Sequence, residues 1–292
     1  MRVETATRPT VESPVQSAPV DTRLASLRAI YIIWYRDILR YWRDRWRLVA
    51  SLAQPLLFLI VFGSGLSSSL GGAFGRGSGL TYIQFMYPGI IGMSILFSAI
   101  FGAMSIVWDR EFGFLKEVLV APIDRWAVAI GKALGGTTQA MIQGLILLVL
   151  APLIGVKLSV LTIVELVPLA AVLAFGLASF GVAIASMMKS LQGFQVVMNF
   201  LMMPMFFLSG ALFPLVALPL WLTVLTRLNP ATYGIDPIRR IILGPTLPPG
   251  TSDQFGLTIA GQVVPMAFEA LVLVAFGLAM LAVAVRNFRK RD

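Results

Sequence analysis

Apolar residues gather in six long runs along the 292-residue chain, at Leu48–Leu66, Ile83–Trp108, Trp126–Ile154, Leu161–Met188, Gly193–Leu215 and Gly261–Val285. A helix rises about 1.5 Å per residue and a bilayer core is about 30 Å thick, so about 20 apolar residues suffice to cross it. Each run is too long and too poor in charge for a strand of a transmembrane barrel. The pattern predicts an all-α integral membrane protein with six transmembrane helices. Between the fifth and sixth runs, the pieces Leu218–Leu228 and Gly234–Leu243 are apolar but too short to cross, and prolines break the segment repeatedly. They predict short re-entrant outer helices.

The polar stretches divide the rest. Residues 1–22 mix Pro, Ser, Thr and Val without periodicity and read as a disordered cytoplasmic tail. Over 23–47 a helical period emerges: Arg36, Arg40, Arg43 and Arg47 fall within about 60° on a wheel. Leu24, Leu27, Tyr31, Trp34, Ile38, Tyr41 and Trp42 take the opposite half, joined there by Arg45. This predicts an interfacial amphipathic helix, arginines toward lipid phosphates, with packing on a partner protein as the alternative. The permeating unit would then occupy 48–285, with a cytoplasmic loop at 109–126, an outer segment at 216–260 and a cytoplasmic tail at 286–292. Ser67–Thr81, rich in Gly and Ser, predicts a flexible outer loop; short turns are expected near Gly155–Ser159 outside and Lys189–Gln192 inside.

Composition narrows the function. Charged residues make up 13% of the chain, against about 25% in soluble domains. There is no Cys, hence no disulfide or thiolate metal site, and no His, the commonest metal ligand and proton shuttle. The net charge of +9 is a topology signal. Residues 1–47 carry nine Lys and Arg, the 109–126 loop three and the 286–292 tail four, and Lys189 lies on the same side. The other side holds Arg76, Lys157, Arg227, Arg239 and Arg240. The positive-inside rule then places both termini in the cytoplasm of a multi-pass protein of the cell (inner or plasma) membrane.

One polar segment stands out: Asp109-Arg-Glu-Phe-Gly-Phe-Leu-Lys-Glu-Val-Leu-Val-Ala-Pro-Ile-Asp-Arg125. Phe114, Leu115, Val118 and Leu119 share one face by spacing, Lys116 and Glu117 lie off it, and Pro122 ends the turn. Such a helix could dock in a groove of a cytoplasmic partner; an ordinary solvated loop is the alternative. With its flanking tryptophans, WDREFGFLKEVLVAPIDRW resembles the cytoplasmic loop of type-2 ABC transporter permeases. Ser209-Gly-Ala-Leu-Phe-Pro214 and Asn229-Pro-Ala-Thr-Tyr-Gly-Ile-Asp-Pro-Ile-Arg239 resemble two later signatures of that family, in order and on the expected sides. The likeness covers about residues 23–290 and is nearest the daunorubicin-resistance or multidrug-efflux branch. Pro237 departs from it, where many relatives carry a small residue.

The resemblance implies a transport permease and not an enzyme: two six-span subunits, as a homodimer or with a paralogue, above two cytoplasmic ABC ATPase subunits that bind ATP and Mg. The residues agree that ATP belongs elsewhere. A phosphate-binding loop needs G-x-x-x-x-G-K-[ST], and the only Gly-Lys pair, Gly131-Lys132, lacks that context. No cofactor, metal or catalytic residue is expected on this chain.

ATPase coupling is expected at Arg110, Glu111, Phe112, Phe114, Leu115, Lys116, Glu117, Pro122, Asp124 and Arg125, with Arg110 and Glu117 as ion-pair partners of the ATPase. An outer gate is expected at Pro214, Asn229, Pro230, Tyr233, Asp236 and Arg239. Met202, Phe206 and Glu269 are candidates for a path taken by hydrophobic or amphiphilic drug-like or lipid-like cargo. The Met- and Phe-rich fifth run suits promiscuous apolar ligands, and equally lipid-facing packing. Glu269, eight residues into the sixth run, either attracts cationic cargo or braces a neighbouring span, or is simply satisfied in place.

Export of polysaccharide or lipid-linked glycan is the alternative within this class. An ion-coupled secondary transporter is the rival outside it, with Glu269 and Lys132 as the intramembrane ionisable groups it would need. A lipid-modifying enzyme would need a cluster of carboxylates or nucleophiles that the sequence does not show. Nucleic acid is not an expected partner.

Overall fold

The structure, a computed structural model, describes residues 22–78, 80–112, 124–215, 218–247, 256–259 and 262–290. Helices α1 (Thr22–Arg43), α2 (Arg45–Ser78), α3 (Tyr82–Gly102) and α4 (Met104–Glu111) precede the 113–123 segment. Helix α5 (Arg125–Leu148), a 3-10 turn at Ala151–Ile154, α6 (Val160–Met187) and α7 (Leu191–Phe207) follow it. Then come α8 (Leu220–Leu228), α9 (Thr232–Leu243) and α10 (Met266–Lys290). Before α10, strands β1 (Thr258–Ile259) and β2 (Gln262–Val263) form an antiparallel hairpin, Thr258 opposite Val263.

Four helical segments are long and apolar enough to cross a membrane among the described residues: Arg45–Gly65, Tyr82–Glu111, Val160–Met187 and Met266–Arg289. The second joins α3 to α4 through Ala103, a residue still in the helical region of the backbone. Its 30 residues reach about 45 Å, so one end projects beyond a bilayer core. Helix α5 has the length, but Lys132, Gln139 and Gln143 lower its hydropathy, and all three are buried. Helix α7 is apolar but has 17 residues.

Helix α3 is the central element, buried along nearly all its length against α2, α5, α6 and α9. Backbones meet closely where α3, α5 and α6 cross. A Cβ on Gly102 would lie 2.9 Å from Gly136 Cα, and one on Gly181 2.9 Å from Ile100 O. Gly136 faces Ala99 O and Ala178 Cβ, each 3.2 Å from where its Cβ would sit. Hydroxyls set the turns: Ser159 accepts from Thr162 N and Ser190 from Gly193 N, capping α6 and α7. Gly155 ends the 3-10 turn at φ 78°, a left-handed conformation that Gly adopts without strain.

Several expected boundaries shift. Helix α2 continues through the Gly/Ser tract to Ser78, because Gly and Ser weaken a helix without removing a backbone donor. The fifth run ends at Phe207 rather than Leu215, since Gly210 turns the chain at φ 73°. The sixth helix begins at Met266, just after Pro265, rather than at Gly261, and Gln262–Val263 before it form a strand. Glu269 therefore lies in the first turn of α10 and not a third of the way along a span. The two-strand hairpin is an addition to the expected all-α fold. Helix α1 stops at Arg43, so Arg45 and Arg47 belong to α2. Residues 1–21 lie outside the described residues.

Gly136→Leu should lower the stability of the purified protein by about 1–3 kcal/mol or more, because backbone atoms on two neighbours block the new side chain. Gly65→Ala is the control. A Cβ there meets nothing within 4 Å, so helix propensity alone acts and the change should stabilise by about 0.5–1 kcal/mol. Thermal unfolding in one detergent compares the two.

Candidate functional site

Helix α4 ends in the first residues of the 109–125 motif, and they grip the turn between α6 and α7. Arg110 donates to the carbonyls of Met188, Ser186 (3.2 Å) and Ala185 (3.4 Å), at the C-terminal end of α6. Glu111 accepts from Leu191 N at 3.1 Å, at the positive N-terminal end of α7. Opposite charges thus meet opposite helix ends. Across the loop, Asp124 exchanges hydrogen bonds with the Ser26 hydroxyl of α1, at 3.0 and 3.1 Å. Arg125 donates to Phe288 O, 2.5 Å away in the last turn of α10. Phe112 remains 77% exposed and stacks edge-on against Trp108. Phe114, Leu115, Lys116, Glu117 and Pro122 lie outside the described residues.

Beside this clamp sits a buried charge cluster. Lys132 reaches Asp37 at 3.1 Å, Asp109 at 2.7 Å and the Ser105 hydroxyl at 3.0 Å, which occupies its three donors. Arg36 also pairs with Asp109, at 2.6 Å, and Arg40 lies 3.7 Å from the same carboxylate and over the Trp108 ring. Three elements, α1, α4 and α5, are tied by these contacts.

Helix α1 gets close enough because Gly131 and Gly135 of α5 face Ile33 and Asp37. Further along, Trp34 donates to Thr138. Hence the buried face of α1 is Ser26, Ala29, Ile33, Asp37 and Tyr41, while Tyr31, Tyr35 and Trp42 are exposed. Rather than all facing lipid phosphates, two of the stripe's arginines turn to Asp109.

At the other end of the molecule the two later motifs form one structure. Asn229 donates to Met205 O at 2.6 Å and accepts from Ala231 N at 3.1 Å. Arg239 donates to the carbonyls of Gly210 and Ala211 and lies over the Phe85 ring. Tyr233 donates to Arg227 O, and Arg227 to Thr258 O in the hairpin. Asp236 accepts from Leu257 N at 3.0 Å and pairs with Arg240 at 2.9 Å. Arg240 pairs as well with Glu269, and all of Asp236, Arg239, Arg240 and Glu269 are buried. Pro230 and Pro214 flank this knot, each half-buried.

The arrangement has no metal-ligating cluster among the described residues. What it offers is a loop clamped at both ends and a knotted cap at the far end. Residues 28–243 match the family described as ABC-2 type transporter. The chain belongs to that family. It is 30% identical to a ycf38 protein of Cyanophora paradoxa over 73% of each chain. Nodulation protein J of Rhizobium leguminosarum bv. trifolii is 28% identical over 76% of this chain and 81% of its own. The inner membrane transport permease YadH of Escherichia coli K12 is 28% identical over 74% and 83%.

The permease places its expected residues unevenly. Arg110, Glu111, Asp124 and Arg125 come together around the loop, committed to helix ends within the chain. Met202 and Phe206 are buried inside the subunit, Phe206 against Phe58 and Phe97. Glu269 is enclosed with Arg240. Asp37 and Asp109 went unread as partners of Lys132. The signal available was that Asp37 continues the Ala29, Ile33, Tyr41 spacing, an acid on the buried face of a helix.

Lys132→Met should destabilise the permease by about 3–5 kcal/mol, because two buried carboxylates lose their shared cation. Adding Asp37→Asn should recover part of that, since Asp109 keeps Arg36. Denaturation midpoints of the single and double variants check both steps.

Proposed function

We propose that this permease is the membrane subunit of an ATP-driven exporter that moves amphiphilic cargo outward. Two copies, or this chain and a paralogue, surround one pathway above two cytoplasmic ATPase subunits, and ATP and Mg bind to those partners. The observation that carries the reading is the double clamp. The loop that would receive the ATPase is fastened through Arg110 and Glu111 to α6 and α7, and through Asp124 and Arg125 to α1 and α10. A displacement of that loop acts on four helices at once, which suits conversion of ATPase closure into a tilt of the pathway.

Six helices run between the two ends described above, α2, α3–α4, α5, α6, α7 and α10, and this supports six spans with both termini cytoplasmic. The inner-membrane relative in Escherichia coli agrees with a cell-membrane location. Helices α2 and α7 meet through Phe58 and Phe206 yet leave Leu57, Ile60, Val61, Phe200, Met203 and Phe207 exposed. These apolar faces support a path lined by α2, α3 and α7. Helices α8 and α9 would dip into the outer leaflet and close the path, with Asn229, Tyr233, Asp236 and Arg239 holding the gate together.

Phe112→Ala combined with Phe114→Ala should weaken the ATPase contact by about 2 kcal/mol or more, as loss of aromatic anchors does. Co-purification of the ATPase and its transport-coupled hydrolysis are the readouts; wild-type values for both would overturn the docking site.

Topology is tested separately, on a chain with no native Cys. Exposed Leu220→Cys should react with an impermeant maleimide from outside only, and Trp46→Cys from the cytoplasm only. Labelling of both from one side would end the six-span reading.

A further inference from the structure

Where α1 hands over to α2, a chamber of about 380 Å3 opens between these helices, α3 and α5. Its walls run from Asp44, between α1 and α2, along the first turns of α2 to Gln54, about 15 Å from the arginine-rich end. The chamber is apolar on one side, with Phe97, Phe101, Met104 and Trp108, and carries hydrogen-bonding groups on the other. Two of these are buried without a partner. Gln143, 2% exposed, donates its amide to Ser51 O at 2.8 Å, which leaves its Oε1 as an unused acceptor. A flipped amide would set oxygen against oxygen, so the orientation is determined. Tyr41, 3% exposed, has its hydroxyl beside those of Ser51 and Ser98 but in no well-formed hydrogen bond.

An orphaned polar group costs about 1–3 kcal/mol when buried, and such groups beside open space are suited to a ligand or to water. The lone cation in the wall, Arg47, is already directed at Phe101 O, while the Asp44 carboxylate accepts from Arg47 N and retains acceptor capacity. The polar wall is therefore rich in acceptors. Asp44 and Trp108 also line an open groove with Arg36, Arg40 and Arg43, so the two spaces share a wall.

We propose that this chamber is a binding site for the head group of an amphiphile that donates hydrogen bonds, a primary ammonium, hydroxyl or amide. Gln143 and Tyr41 accept from the head, and the rings of Phe97, Phe101 and Trp108 cover the start of its chain. The site lies within one subunit, behind α2, apart from the path assigned to α2, α3 and α7. It rests on the reading of the chain as a permease for amphiphiles, but binding needs neither nucleotide nor ATPase.

The test uses the full chain in lipid nanodiscs with Ser98→Cys, a half-buried position in the chamber wall. Dodecylammonium and dodecyltrimethylammonium carry the same charge and chain, and only the first can donate a hydrogen bond. Dodecylammonium should protect the cysteine from maleimide at about tenfold lower concentration. Gln143→Leu should erase that preference, and Gln143→Glu, which keeps an acceptor, should retain it. If Gln143→Leu fails to fold, Tyr41→Phe takes its place and should reduce the preference. Equal protection by both amines, a preference indifferent to these substitutions, or no protection by either (a chamber that holds only water) would overturn the proposal. A failed ATPase-docking test would leave these results unchanged, so the two readings fail separately.

Discussion

An ammonium group buried among helices costs several kcal/mol unless anions and acceptors surround it, and Lys132 draws them from three elements. Asp37 comes from α1, Asp109 and the Ser105 hydroxyl from the α3–α4 segment, and the cation itself from α5. Each of these groups finds its partners on another helix. The cluster therefore specifies how α1 lies along α5 and where α4 ends, and both clamps that flank the 113–123 segment follow from those positions. Asp109 is followed at once by Arg110 and Glu111, so the pairing with Lys132 sets the direction in which the α6–α7 turn is gripped.

Helix ends supply the second half of that grip. The C-terminal turn of α6 presents carbonyls and the N-terminal turn of α7 an unpaired amide, close together because only a short turn separates them. Arg110 and Glu111, adjacent in sequence, match the two ends in sign. The same logic recurs at Arg125 and the last turn of α10. These contacts are made by charged groups with carbonyls or amides, which are stronger than neutral hydrogen bonds and more specific in direction than apolar packing.

Much of this was legible in the sequence. The long apolar runs, the short helices α8 and α9, and the turns at Gly155 and Lys189 follow from hydropathy, Pro and Gly, and lie close to where they were expected. The three motif segments also pointed to the right family. What was not legible depended on contacts between distant residues. The wheel of α1 showed an arginine stripe but not that Asp37, at its edge, faces a lysine 95 positions away. The Gly/Ser tract after Gly65 suggested a loop, because composition reports propensity and cannot show which hydrogen bonds continue. Glu269 looked deep in a span because the sixth run was read from Gly261, whereas Gln262–Val263 form a strand and the helix begins only at Met266.

The far end shows why two motifs about twenty residues apart occur as a pair. Gly210 takes a left-handed turn that aims its carbonyl at Arg239, and Ala211 contributes a second. Gly89 of α3 lets the Ala211 backbone pass in contact. Asn229 meanwhile holds Met205 O, in the last turn of α7. The first motif thus supplies carbonyls and the second supplies donors, and neither is satisfied without the other. Beside them Arg240 pairs with both Asp236 and Glu269, and these three, like Arg239, are removed from water. A buried set of this kind adds little net stability over apolar residues of the same volume, but any single loss strands a charge. Such a cap resists partial opening, so a change of state at this end would move α9, the hairpin and the start of α10 together.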